Sequence, residues 1–381
     1  MRWVVAAAVA VGAAAAAAGA IGFMIARRLT APVGERVFDL MVRDVVRRGD
    51  QDAVVLDRTA RTAAPGLYNL WLDNGGWVKL GAVLDGDAVT VTREITSVAP
   101  DGALRTGQHA SWSGIYYRDP ADAGLDAADA TVETDVGPAP AWLIRPADGE
   151  GDAWAIHIHG LGSPRAGALR GVRVASDLGF TSLVVSYRND GEGPTVGSGR
   201  STLGATETED VAAALRYAIA QGAQRIVLFG WSMGAAIALQ LAADPEFADT
   251  IYALVLESPV LDWGATIAAN CARAGLPSWF GPLGGPWLER PTLVRLVGLH
   301  VAVHLAPFNW LDRACDLSIP TLILHGTRDR SSPIAASARV AALRPDLIRL
   351  ETFAADHTMT WNSDPERFGH VVEEWRDRRV R

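Results

Sequence analysis

Three residues of this 381-residue chain have the types and setting for nucleophilic catalysis: Ser232, Asp329 and His357. Ser232 lies in Gly230-Trp-Ser-Met-Gly234, where the apolar run 226–229 stops and a small-residue run begins at Ala235. The run is too short for a helix of its own and reads as a buried strand, whereas the residues after Ala235 recur at helical spacing. Ser232 therefore stands at a strand-to-helix turn, with Gly230 and Gly234 supplying the missing Cβ atoms that so tight a turn needs. A serine hydroxyl is a weak nucleophile until a base takes its proton, and that base needs a carboxylate to orient it.

Both partners are found after later apolar runs. "TLILHGTRD" is a strand followed by a loop carrying Asp329, and "LIRLETFAADH" is a strand followed by a loop carrying His357. The order Ser, acid, His is the one expected when each residue sits just past the carboxyl end of a parallel strand. Asp262, one strand earlier, is the alternative acid. Asp356 adjoins His357 and reads as solvated, and Asp312 and Asp316 read as surface or capping residues. A tetrahedral intermediate needs backbone donors for its oxyanion. One is expected from Met233, at the start of the helix after Ser232, and the other from the loop "HGLGSPR", with Leu161 leading.

The elements that must position these residues follow from the periodicity. From residue 131 onward, strands and helices alternate, which implies a mostly parallel central sheet covered by helices, an α/β fold. The stretch 262–319 breaks the rhythm, is rich in Trp, Leu and Pro, and reads as two or three short helices forming a lid. Residues 31–130 read as a β-rich extension, with a hairpin signal at Asp73-Asn74-Gly75-Gly76. Residues 1–30 carry no charge between Trp3 and Ala26 and are long enough to span a bilayer. Two readings stand, a transmembrane anchor or a signal segment of a secreted protein. The apolar run continues past any A-x-A cleavage site, which favours the anchor. The arginines after it lean toward a cytoplasmic body. Every residue assigned to catalysis lies far beyond this segment, so a chain starting near Pro32 is expected to keep its activity.

Composition removes other classes. The net charge is −8 and the 35 basic residues are scattered, so there is no basic stripe for nucleic acid. Cys271 and Cys315 lack metal-type spacing. A bridge between them would close the lid loop in an oxidising compartment, although the inferred orientation leaves them as thiols. His300 and His304 are spaced by one helical turn, but with no further ligand nearby they read as packing residues. His157 and His159 alternate on a strand and read as structural, as does His109.

Taken together, "HGLG", "GWSMGA", "HGTRDRSSP" and "DHTMTW" resemble the α/β-hydrolase superfamily. The segments "SYRND", "LGATETEDVAAALRYA" and "GWSMGAAIALQ" are similar to actinobacterial serine hydrolases of the prolyl-oligopeptidase and serine-aminopeptidase-like branch. Ala235 departs from the second glycine common in relatives. The resemblance implies an α/β-hydrolase fold over residues 131–381, with the helical lid inserted, and a triad of Ser232, His357 and Asp329 that needs no metal or organic cofactor. The apolar lid favours a small, lipophilic ester as substrate over a peptide, with a carboxylesterase-like reaction through an acyl-enzyme. An amidase of the aminopeptidase type and a catalytically silent binding module are the alternatives.

Overall fold

The computed structural model describes residues 2–99, 102–146 and 151–379. The chain opens with helix α1 (Arg2–Leu29), and six strands follow: β1 (Leu40–Arg48), β2 (Gln51–Asp57), β3 (Tyr68–Leu72), β4 (Trp77–Gly86), β5 (Thr90–Val98) and β6 (His109–Ser113). They close into an antiparallel barrel in the order β1-β2-β5-β4-β3-β6, sealed by the pairing of Leu40 with Ala110 and Met41 with His109. Its interior is filled by residues such as Leu56, Leu70, Leu72 and Leu80. The turn between β3 and β4 falls at Asp73–Gly76, where the Leu72 N–H reaches Gly76 O at 2.8 Å and Gly75 adopts φ +86°.

A second sheet begins with β7 (Ala127–Thr134), β8 (Gly137–Ile144) and β9 (Ala153–Ile158), and continues through α2 (Leu169–Asp177), β10 (Thr181–Val185), α3 (Glu207–Ala220), β11 (Arg225–Trp231), α4 (Met233–Ala242) and β12 (Ile251–Glu257). After the lid come β13 (Thr321–Gly326), α8 (Ile334–Leu343), β14 (Ile348–Phe353), α9 (Thr360–Ser363) and α10 (Pro365–Arg379), the lid itself holding α5 (Trp263–Arg273), α6 (Gly285–Glu289) and α7 (Pro291–Val297). The strand order is β14-β13-β12-β11-β9-β10-β8-β7, and only β8 runs against the rest. The central strands are buried almost end to end, as both faces are covered. Leu228 faces α3 and α4 in one apolar layer, while its neighbours Val227 and Phe229 face α2 and α10 in the other. With its neighbours β9 and β12 parallel to it, β11 sits mid-sheet, and the loop after it emerges at the carboxyl edge.

Helix α1 is long and apolar enough to cross a membrane over Val11–Leu29, by length and composition. Its first half stands clear of the body, with Trp3 and Val11 exposed. Its second half does not. Ala26 is fully buried in the main core, Phe23 packs on Trp287 at 5.0 Å, and Arg200 donates to Arg27 O at 2.7 Å. The contact is backbone-close: a Cβ on Gly22 would lie 2.1 Å from Leu283 O, so no larger residue fits there. Helix α1 is thus clamped onto the lid, a packing that composition alone does not announce.

Leu299–Leu305 is irregular, because Gly298 at φ +95° ends α7. His300 and His304 therefore share no helix face, and both are exposed on the lid rather than packed within it. Cys271 is buried on α5 and Cys315 is exposed, and both are free thiols.

Removing α1 should destabilise the body. A chain beginning at Pro32 is expected to melt several degrees below the full-length protein in the same detergent. Uncovering the Ala26 and Trp287 contacts should cost about 2 kcal/mol, at roughly 2–4 °C per kcal/mol for a body of this size. Equal melting temperatures by scanning fluorimetry would contradict the packing of α1.

Candidate active site

Ser232 follows β11 directly and precedes α4, with φ +54° and ψ −111°. A non-glycine residue is held in such a conformation only when its surroundings over-determine it. Here the Ser232 N–H donates to Glu257 O at 3.0 Å, and Ser232 O accepts from Val260, Ala235 and Ala236. The flanking glycines allow close approach. A Cβ on Gly230 would lie 2.6 Å from Ala235 Cα, and one on Gly234 would lie 2.1 Å from Ile158 O. Ala235 is fully buried.

Ser232, Asp329 and His357, assigned from separate loops, come together. Ser232 Oγ lies 2.9 Å from His357 Nε2, and His357 Nδ1 lies 2.8 Å from Asp329 Oδ2. The carboxylate of Asp329 is fully buried, and its other oxygen accepts from the Ser331 and Ser332 N–H groups at 2.8 Å each. Burial alone would raise its carboxyl pKa. Hydrogen bonds from His325 and His357 outweigh burial and hold it far below the usual carboxylate range. An ionised Asp329 keeps the proton of His357 on Nδ1 and leaves Nε2 free to accept from Ser232.

The alternative acid plays another part: Asp262 caps α5, accepting from the Ala265 N–H at 3.2 Å. Asp356 accepts from the His357 N–H at 2.8 Å and faces Arg330 in the exposed part of the loop. Asp316 pairs with Arg313 at the surface.

Leu161, Ser232 and His357 line one small cleft of about 100 Å³. Met233 opens α4, where unpaired N–H groups and the helix dipole converge. The N–H groups of Met233 and Leu161 enter none of the turn, loop and cap hydrogen bonds among the described residues. Behind the Leu161 loop, His159 is buried with Nε2 3.0 Å from Asp190 and Nδ1 2.9 Å from the Tyr187 hydroxyl. His157 stacks on Phe229 and contacts Ser182 Oγ at 3.1 Å, and its burial pushes its pKa down to about 3.

Several supporting residues escape the sequence reading. His325 stands 3.2 Å from Asp329 Oδ2 and is itself held by Ser337 Oγ at 2.8 Å. Glu257, at the end of β12, accepts from Trp231 Nε1 at 2.6 Å and from the Thr360 N–H at 2.8 Å, which ties the elbow strand to the segment after His357. Arg170 on α2 donates to Thr358 O at 2.9 Å and to Asn362. Asn362 in turn donates to Leu67 O at 2.6 Å and Gly114 O at 3.0 Å, so the barrel grips the same segment. Nothing local in the sequence marks Glu257 or Asn362.

A second, larger cleft of about 730 Å³ reaches Ser232 and His357 from the lid side. One face of α5 lines it through Trp263, Thr266, Ile267, Asn270, Cys271 and Ala274, whose spacing is that of a single helical stripe. Across from them stand Ile25, Arg28 and Leu29 of α1.

Residues 155–371 match the model of the Alpha/beta hydrolase family, and residues 41–113 match a domain of unknown function (DUF8805). The first match spans more than half of the chain, which belongs to the alpha/beta hydrolase family. Among solved structures, the chain is similar to the esterase Pf2001 of Pyrococcus furiosus, at 20% identity and a TM-score of 0.54 over 69% of this chain and 96% of that one. It is also similar to the esterase domain of a Rhodothermus marinus protein, at 21% identity and a TM-score of 0.48 over 67% and 100%. No curated protein sequence matches it.

The two candidate acids separate cleanly. Asp329→Asn is expected to lower kcat by about 10⁴-fold through loss of the productive His357 tautomer, whereas Asp262→Asn should stay within about tenfold of wild type. Steady-state kinetics on one chromogenic ester, with melting curves for both variants, decides between them, and a reversed ranking would reassign the acid.

Proposed function

We propose that this member of the alpha/beta hydrolase family is a membrane-associated serine carboxylesterase that hydrolyses a lipophilic ester through an acyl intermediate on Ser232. The observation carrying this reading is the continuous contact from Ser232 Oγ through His357 to buried Asp329, at the end of an apolar cleft. His357 Nε2 takes the proton as Ser232 Oγ attacks the ester carbonyl. The oxyanion that forms accepts from the Met233 and Leu161 N–H groups. Collapse breaks the bond to the alcohol oxygen, which receives the proton from His357. Water then attacks the acyl-enzyme, with His357 again as base, and releases the acid and free Ser232.

An ester is favoured over an aminoacyl amide by the lining of the larger cleft. It contains Arg28 and Arg273 but no aspartate or glutamate, so nothing there pairs with a substrate ammonium. An assembled and hydrogen-bonded triad weighs against a silent binding module. Kinship with the prolyl-oligopeptidase and serine-aminopeptidase-like branch rests on the sequence segments alone. The membrane part of the reading rests on α1. Its outer turns, residues 2–17, extend about 24 Å from the docked half at 1.5 Å per residue, enough to enter a bilayer but short of its hydrocarbon core of about 30 Å.

Ser232→Ala should fold with an unchanged melting temperature and lose about 10⁴-fold or more in kcat. A panel of acyl esters of increasing chain length and aminoacyl amides, run on both proteins, tests the class. Ester hydrolysis rising with chain length is the expected outcome. Amide turnover exceeding ester turnover, or full activity in the alanine variant, would overturn the reading.

A further inference from the structure

The larger cleft has a wall that no hydrolase element supplies. Ile25, Arg28 and Leu29 of α1 fall at i, i+3 and i+4, on one helix face, and that face meets the stripe on α5 across the cleft. The groove runs from Trp263, beside Ser232, to Ala274 and Leu276, about 16 Å along α5 at 1.5 Å per residue. Its lining is apolar for most of that length, through Ile25, Leu29, Val260, Trp263, Ile267 and Leu276. Its charges are all of one sign. Arg28 stands on the α1 side and Arg273 on the α5 side, both are exposed, and no carboxylate lines the groove.

Several arginines elsewhere are held by carboxylates, among them Arg43 with Asp57, Arg216 with Glu246 and Arg349 with Glu374. Neither Arg28 nor Arg273 has an ion-pair partner among the described residues. Two unpaired guanidinium groups flanking an apolar trough leave positive potential where a ligand would enter, and a guanidinium fork suits a phosphate or carboxylate.

We propose that the groove between α1 and α5 binds an anionic lipid ester. Its ester lies at Ser232, its apolar chain lies along Ile25, Leu29, Ile267 and Leu276, and its anionic headgroup is attracted by the positive potential of Arg28 and Arg273. The inference rests on the serine-esterase reading above and names its substrate class. It makes α1 a part of the binding site as well as a membrane element, so the helix that enters the bilayer also shapes the groove that receives the lipid.

The test uses full-length protein in an uncharged detergent, with two matched pairs of substrates. One pair is a long-chain monoacylglycerol and its phosphate ester, and the other is the same pair with a short chain that stays monomeric. Wild type should prefer the long-chain phosphate ester over its neutral counterpart in kcat/KM. The double variant Arg28→Gln/Arg273→Gln should lower that preference by about tenfold, mainly through KM, consistent with two partly exposed charge contacts. An equal preference in wild type and variant would overturn the inference. So would a phosphate preference equally large in the short-chain pair, which would make the ligand a soluble anion rather than a lipid. Labelling of Ser232 by a fluorophosphonate separates the two levels. Labelled protein with no phosphate preference removes only this inference, whereas unlabelled protein that cleaves none of the four esters removes the esterase reading as well.

Discussion

Ser232 is held at φ +54°, a conformation that costs a side-chain-bearing residue about 1–3 kcal/mol, and much of the surrounding structure exists to hold it there. The turn works only if β11 lies between two parallel neighbours and α4 can fold back over the sheet edge. Gly234 permits that fold, since any Cβ there would run into the carbonyl of Ile158. The same close approach brings the start of α4 beside the end of β9. Leu161, three residues past β9, lines one cleft with Ser232. One backbone constraint therefore aims the hydroxyl and brings the loop after β9 beside it.

His357 is less constrained by its own backbone, because it sits in a loop, and the structure holds it through buried polar contacts. Glu257 binds Thr360, Arg170 binds Thr358 and Asn362, and Asn362 binds two barrel-side carbonyls. Thr358, at φ +53°, turns the chain sharply just after the histidine and donates to Ser258 Oγ, itself in a residue at φ +48°. The barrel enters this system from inside. Its buried Arg93 holds Thr62 O at 3.0 Å and Gly66 O at 2.6 Å, beside the contact with Asn362. In this arrangement the barrel helps fix the loop that carries His357.

Much of this could be read from the chain because the signals are local. A glycine-flanked serine between an apolar run and a helical run fixes its own turn. Asp329 and His357 each follow a short apolar strand within a few residues. The hairpin at Asp73–Gly76 is legible for the same reason. The features that were not legible depend on tertiary contact. That Ile25 and Ile267, more than two hundred residues apart, line one cleft depends on Gly22 meeting Leu283, and no window of sequence contains both. An apolar helix looks the same whether it stands free or packs half its length on a lid. His300 and His304 misled for the converse reason, since four-residue spacing means a shared face only where a helix exists and Gly298 ends it. His325 was passed over because a histidine inside an apolar strand gives no sign of the carboxylate it will meet.

The central claim is that Ser232, activated by His357 and Asp329, carries the acyl group between two steps. Rapid mixing of full-length protein with a chromogenic ester, followed by acid quench and peptide mass analysis, observes that intermediate itself. The account predicts a burst of about one leaving group per protein molecule and a mass increase equal to the acyl group on the peptide containing Ser232. Turnover with no burst and no adduct, or an adduct on any other residue, would contradict it.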